Sequence, residues 1–395
     1  MKKKLLFVTL YLHTGGVEKS LLALLSSIDY NKYEVDLALF DHSGLLFNMV
    51  PKEVNVLPPI YKHFSSTLSV SVLGLLKERK FRLLTGKVLS TLLGKLSLNK
   101  GIGIRWSVFK NSISKIDKHY DVAISYFDFF SNYYVTEKIS ANKKIVYNHQ
   151  DYEFSFRQGW GSKNLERRCF SKSNYIVSVS ESAEESLKKF FPDISNKIKI
   201  INNISPIETV KKMSEEEGYT DSFDGIRIAT VARLAEEKGI WLALEACYLL
   251  VQQQYNIRWY IVGNGVLRKK VESKIYELGL EDRFILLGEK LNPYPFIKNC
   301  DVYVQPSLTE AHCIAVEEAK NLHCPIIVTD IPSFKKQIID EETGVIAQLS
   351  PKGLEKSLCK LINSTELRSR LSNNLRNNQH DNQEEIDKFL ELVEI

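Results

Sequence analysis

Two cations and two carboxylates stand at spacings suited to holding a phosphorylated ligand that also carries hydroxyl groups. Arg233 and Lys238 lie in Ala232-Arg233-Leu234-Ala235-Glu236-Glu237-Lys238-Gly239, after the apolar stretch 226–231 and before the apolar stretch 240–251. Turn cations are common on any solvated surface, but these two fall between a strand end and a helix start. There an Arg fork and a Lys point charge, with helix N-terminal amides beside them, can clamp a diphosphate. Further on, QPSLTEAHCIAVEEAKNLHCPIIVTD (305–330) reads as strand, loop, helix and strand, the helix beginning near Ile314. Glu310 lies in its loop and Glu318 on its helix, with seven residues between them. Neighbours on a helix point about 100° apart, so Glu318 and Glu317 cannot both face the same site. The spacing to Glu310 selects Glu318; the plainer reading makes Glu310 a loop or capping acid and puts both Glu317 and Glu318 on a solvated helix face.

The elements that must position these residues read as two series of βα units. In the first, the apolar run 5–10 is a buried strand, Gly15-Gly16 is a glycine turn, and 17–25 carries one apolar helical face before the strand 35–40. A dinucleotide fingerprint would require another glycine three residues after Gly16, where Lys19 stands. Runs at 121–125, 144–147, 175–180 and 198–201 read as further strands, and His149 follows the second of these at the end where α/β sheets bind ligands. A histidine at such a place serves as a structural hydrogen-bonder or as a site residue. The polar, acidic stretch 205–225 reads as a linker. The second series begins at 226 and continues through a strand at 259–262, Gly263-Asn264-Gly265, a charged helix to 278, a strand at 284–287 and Gly288-Glu289-Lys290. The expected fold class is α/β: two doubly wound, Rossmann-like parallel-sheet domains.

At 395 residues the chain is long enough for two cores, and 44% apolar with 26% charged residues is a globular composition. A net charge of +5 excludes a dedicated nucleic-acid binder unless the charge is concentrated. It is concentrated: 62–110 holds ten Lys or Arg against the single acid Glu78. Within that segment Val88, Leu89, Leu92, Leu93 and Leu96 share one helical face, with Lys87 and Lys95 among them and Arg79, Lys80 and Arg82 just upstream. Such a surface either packs its leucines on the domain or docks on the anionic inner face of a membrane. The six cysteines show no metal-site spacing and read as reduced thiols. The apolar run after Lys2-Lys3-Lys4 ends by Leu12 without a small-residue cleavage site, so a cytoplasmic protein is expected.

Taken together, Arg233-Leu234 with Lys238-Gly239, Glu310 with Glu318, and 325–328 resemble the donor-site motifs of family 4 of the retaining glycosyltransferases, whose members have the GT-B fold of two Rossmann-like domains facing across a cleft. The resemblance implies a retaining, metal-independent hexosyltransferase with no cofactor, its donor a nucleotide sugar, expected to be a UDP-sugar. Its acceptor would be a glycan, expected to be lipid-linked, in cell-surface polysaccharide synthesis. It also implies roles: Arg233 and Lys238 on the diphosphate, Glu310 on the hexose, Glu318 on the ribose and His149 orienting the sugar. Gly15 and Gly16 approach the donor diphosphate, while Gly263, Gly265, Glu289 and Lys290 complete the donor loops. The family's glycines after the first Glu are here Ala311 and Cys313, which bears on the shape of the sugar pocket. The implied organisation is an acceptor-side domain 1–204 with a basic insertion at about 62–117, a linker 205–225, a nucleotide-sugar domain 226–371 and a C-terminal helix within 372–395 that packs back on the first domain. Two other readings share these features. One is a GT-B epimerase or phosphorylase, the other a non-catalytic GT-B partner subunit.

Overall fold

A computed structural model describes residues 2–64, 66–94, 98–378 and 381–395. The chain divides into two compact units, Met1–Ile204 with Gln383–Ile395, and Ser205–Asn382. The first holds β1 (Lys3–Thr9), β2 (Tyr33–Leu39), β3 (Asn55–Val56), β4 (His119–Ser125), β5 (Ser140–Asn148), β6 (Tyr175–Ser178) and β7 (Ile198–Ile200). They form one parallel sheet in the order β3-β2-β1-β4-β5-β6-β7. The second unit holds β8 (Ile226–Val231), β9 (Ile257–Val262), β10 (Phe284–Gly288), β11 (Val302–Gln305), β12 (Ile326–Thr329) and β13 (Val345–Ala347), ordered β10-β9-β8-β11-β12-β13. Both sheets are doubly wound, as the alternating strand and helix pattern predicts and as the GT-B class implied by the family resemblance requires. Strand order reverses between β1 and β4 in one sheet and between β8 and β11 in the other. Those switch points leave an opening at the carboxyl ends of the strands, where ligands enter such sheets.

The central strands are apolar on both faces because helices cover both sides of a parallel sheet. Leu5, Phe7, Ile124 and Val146 in the first unit, and Ile228, Trp259, Val304 and Ile327 in the second, are fully buried. The edge strands β3 and β13, of two and three residues, are too short to announce themselves in sequence.

The stretch read as a linker, 205–225, belongs to the second unit. Its helix Ile207–Met213 buries Val210, and Asp221 binds Arg227, Arg258 and the Tyr260 hydroxyl. Polarity there reflects an ion-paired surface and not a loose tether. The helix Gln383–Glu394 lies in the first unit: Phe389 is fully buried with its ring centroid 5.9 Å from that of Phe7. Lys143 donates to the Leu392 carbonyl at 2.9 Å and Lys3 to that of Val393 at 3.1 Å, cations satisfying the open carbonyls of a helix end.

The basic segment forms helices Leu68–Lys77, Phe81–Gly94 and Leu98–Phe109. Leu75, Trp106, Phe109 and Ile113 enter the first unit's core. Its cations divide between partly buried Lys87 and Lys110 and exposed Lys62, Lys77, Arg79, Lys80, Arg82 and Arg105, and several of both kinds have partners. Lys87 donates to the Phe64 carbonyl at 3.0 Å, Arg82 to that of Asn111 at 2.8 Å, Lys110 pairs with Glu137 at 3.1 Å, and Lys62 with Glu78 at 2.5 Å. Leu89 and Leu92 of the expected apolar face are exposed, whereas Lys95 and Leu96 lie outside the described residues.

Removing the ring of Phe389 leaves a cavity under the C-terminal helix. Phe389→Ala is expected to lower the stability of the first unit by about 3–5 kcal/mol, with hydrogen exchange accelerated in peptides of β1 and 383–394 and unchanged in 226–378. Acceleration in both units would contradict the placement of this helix.

Candidate functional site

The switch point of the second sheet brings together the loops that follow β8 and β11. Gly239 is left-handed, with φ of 64°, and a Cβ there would fall 1.8 Å from the Pro306 carbonyl oxygen. Only glycine lets the two loops approach so closely. Leu308 N–H donates to the Glu237 carbonyl at 2.9 Å, which fastens the second loop to the first. Between them Lys238 Nζ meets Glu310 Oε1 at 2.6 Å, with side chains 19% and 10% exposed. Burial alone would pull Lys238 below the usual lysine range, but the Glu310 carboxylate beside it leaves it raised, so it stays cationic.

Glu310 is aimed by a relay along β11 that the sequence reading missed. Tyr303 OH donates to Gln305 Oε1 at 2.6 Å, Gln305 Nε2 to Ser307 Oγ at 3.0 Å, and Ser307 Oγ to Glu310 Oε1 at 2.8 Å. Thr329, at the end of β12, donates to the Ser307 carbonyl. Gln305 and Ser307, both buried, each accept one of these bonds and donate the next, so the middle of the chain is satisfied. The available signal was Tyr303, Gln305 and Ser307 at alternate positions: polar groups on one face of a strand that is otherwise fully apolar.

Arg233 is 69% exposed and paired with Glu237 at 2.9 Å; no described bond ties it to Glu310. Its loop is shaped by Gly263 and Gly265. With φ of 152°, Gly263 keeps clear of the Ala232 carbonyl, which a Cβ would meet at 1.9 Å, and Gly265 likewise clears that of Leu234. These two glycines therefore have a structural cause whatever they bind. Glu289 and Lys290, beyond β10, are exposed.

Glu318 is fully buried and accepts from Tyr294 OH at 3.0 Å. Glu317, expected on a solvated face, is instead mostly buried. It pairs with Lys320 at 3.0 Å and accepts from Gln337 at 2.8 Å. Burial works to raise its carboxyl, but Lys320, His312 and Gln337 together hold it below its ordinary range. The 100° argument separates two neighbours correctly yet assumes that one of them meets water. The short helix Phe334–Gln337 covers the second face.

Gly15, Gly16 and His149 belong to the first unit, at the carboxyl ends of β1 and β5. Gly15 caps the helix Gly16–Ser26 with extended backbone. His149 is buried, stacked at 16° on Tyr147, and its Nε2 donates to the Tyr126 carbonyl at 3.1 Å. That bond fixes the proton on Nε2 and leaves Nδ1 as the acceptor. Burial pushes the ring down to about 3, so it is neutral at physiological pH. Beside it, burial raises Asp128 to about 7 although the His149 N–H donates to its carboxyl at 2.9 Å.

Replacing Lys238 leaves a buried carboxylate without its cation. Lys238→Met is expected to cost the second unit about 3–5 kcal/mol, and Lys238→Met with Glu310→Gln to recover much of it, as read by urea unfolding. A single variant as stable as the parent would show that water already screens the pair.

Residues 221–378 match the family described as Glycosyl transferases group 1. The capsular polysaccharide biosynthesis glycosyltransferase CapM of Staphylococcus aureus is 23% identical over 210 residues, covering 51% of this chain and 55% of the relative. The N-acetylgalactosamine-N,N'-diacetylbacillosaminyl-diphospho-undecaprenol 4-alpha-N-acetylgalactosaminyltransferase of Campylobacter jejuni is 27% identical over 190 residues, covering 48% and 50%. The chain thus spans about half the length of the curated relatives it matches. In fold it is similar over 99% of both chains to Anabaena HepE, solved with UDP and glucose, at a TM-score of 0.68 and 14% identity. Arg233, Lys238, Glu310 and Glu318 all lie within 221–378, the stretch that matches the Glycosyl transferases group 1 family.

Proposed function

We propose that this protein transfers a hexosyl unit, with retention, from a UDP-sugar to a lipid-linked glycan in the assembly of a cell-surface polysaccharide. The observation that carries the reading is the buried Lys238–Glu310 pair at the switch point of the second sheet, inside the stretch that matches the group 1 family. As the glycosidic bond breaks, negative charge collects on the departing diphosphate. A preorganised cation in a water-poor site stabilises that charge most, and Lys238 is such a cation, with Arg233 at the exposed rim. These two supply the positive charge that a divalent ion would otherwise bring, so turnover is expected to survive EDTA. Glu310, whose second oxygen is not engaged by the Ser307 relay, takes a hydroxyl of the hexose, and Glu318 the ribose. His149, neutral and held by Tyr126, acts as a hydrogen-bonding group and not as an acid. HepE, solved with UDP and glucose, supports the donor class, and the Campylobacter relative, whose name contains diphospho-undecaprenol, supports a lipid-linked acceptor.

Purified protein is expected to bind UDP and to turn over one of a panel of UDP-hexoses. Lys238→Ala should lower kcat more than donor affinity, because its charge is used most in the transition state. Glu318→Ala should weaken UDP and UDP-sugar alike by roughly 1–3 kcal/mol. A protein that binds neither nucleotide nor nucleotide sugar would end this reading, whereas turnover that requires added manganese would end its metal-independent part.

A lipid-linked acceptor requires approach to a bilayer, and no described helix is long and apolar enough to cross one. The surface offered for approach is the exposed apolar row Leu73, Leu76, Phe81, Leu89 and Leu92, edged by the exposed Lys77 and Arg79. Lys80 and Arg82 are exposed in the same stretch, so insertion of leucine and phenylalanine acts together with surface cations that each contribute about 1 kcal/mol. The protein should float with vesicles containing anionic lipid. Leu73→Gln with Phe81→Gln should abolish flotation and leave UDP affinity intact; absence of flotation by the unmodified protein would favour a soluble acceptor.

A further inference from the structure

The helix Phe334–Gln337 contributes none of the residues assigned to the donor, yet its last side chain reaches the loop that carries Glu310. Gln337 is buried. Its Oε1 accepts from the Cys313 N–H at 2.9 Å, and its Nε2 donates both to the Cys313 carbonyl at 3.1 Å and to Glu317 Oε1 at 2.8 Å. Cys313 is the N-cap residue of the helix Ile314–Asn321 and provides no side-chain cap. Its carbonyl also accepts from Val316 at 3.2 Å and Glu317 at 3.3 Å. The amide of Gln337 therefore joins the end of the loop, the first turn of the helix and the Glu317 carboxylate into one body.

Only one orientation of that amide is allowed. Turned over, its oxygen would oppose the Cys313 carbonyl and a carboxylate, and its NH2 would face an N–H. Glu317 fixes the choice and is itself held by Lys320 at 3.0 Å. One consequence bears on the sugar pocket. At the position of the family's second glycine, where backbone amides approach the donor, the Cys313 N–H is already committed to Gln337 and cannot serve a ligand.

We propose that Gln337 and Glu317 form a positioning pair that fixes the loop 310–313, and through it the aim of Glu310 at Lys238, so that the pair governs use of the sugar and not capture of the nucleotide. This rests on the donor reading above and extends it to residues outside the family motifs. Neither residue needs to touch the donor. Their effect passes through the backbone on which Glu310 is carried, three residues before Cys313.

Gln337→Glu tests it, because the shape is kept while both Nε2 donors are lost and a second carboxylate is set against Glu317. Three results are expected. Hydrogen exchange in peptides covering 308–316 accelerates; kcat for UDP-sugar turnover falls on the order of 10²-fold, as for a reactive group displaced by about 1 Å; and UDP affinity is unchanged. Adding Glu317→Gln to Gln337→Glu restores one amide-to-carboxylate bond with the partners exchanged and should recover part of both losses. Gln337→Met, which keeps the volume and loses all three bonds, serves if the charged variant does not fold. Unchanged exchange at 308–316, or an equal loss of UDP and UDP-sugar affinity, overturns the proposal. Failure of the unmodified protein to bind UDP would instead remove the donor reading and the sugar-specific role with it, while the exchange comparison would still decide the clamp on the loop.

Discussion

Much of the second unit is arranged around one buried ion pair, Lys238 with Glu310. A lysine and a glutamate taken out of water are costly unless each is fully engaged, and the partner of one must then be held in place by something other than the other. The structure does this with neutral groups. The Tyr303, Gln305 and Ser307 relay brings a donor to Glu310 from the strand below, and the Gly239 contact with Pro306 brings the lysine loop close enough for a 2.6 Å approach. Position follows from topology, since β8 and β11 are adjacent strands whose following helices lie on opposite sides. The gap between them is where two loops can meet without a helix in the way.

The first unit uses a similar position differently. At the carboxyl ends of β1, β4 and β5 it gathers buried polar groups, a neutral His149 and an Asp128 that burial raises to about 7. A histidine pulled far below its ordinary range cannot act as a proton donor of the imidazolium kind. It can present a fixed lone pair, which suits orientation of a hydroxyl-bearing ligand and not acid catalysis.

The basic segment shows why a charge count is a weak guide to a surface. Ten cations in 62–110 suggest an electropositive face, but several are spent on backbone carbonyls and on Glu78 and Glu137. Beside its exposed cations the segment also exposes apolar side chains. Two of its three helices place leucines, a valine and a phenylalanine outward while their opposite sides, with Trp106 and Phe109 of the third, build the core. An apolar row of this extent on a domain surface is uncommon without a partner.

Local pattern alone determined the α/β class: runs of buried strand alternating with helices build a parallel sheet with helices on its faces, and glycines at strand ends mark where the backbone must turn tightly. It also selected Lys238 and Glu310, because a cation and an acid at the ends of βα loops carry their placement with them. The structure alone decided their pairing and the state of their neighbours. Glu317 was legible as a surface acid until the helix Phe334–Gln337, some twenty residues away in sequence, was seen to cover it. Arg233 and Lys238 look alike in the motif, yet one is exposed and the other paired inside, since exposure depends on which loop packs above. Gln337 carried almost no signal, because a hydrogen bond between distant segments has no period in sequence and exists only once the chain has brought its two ends together.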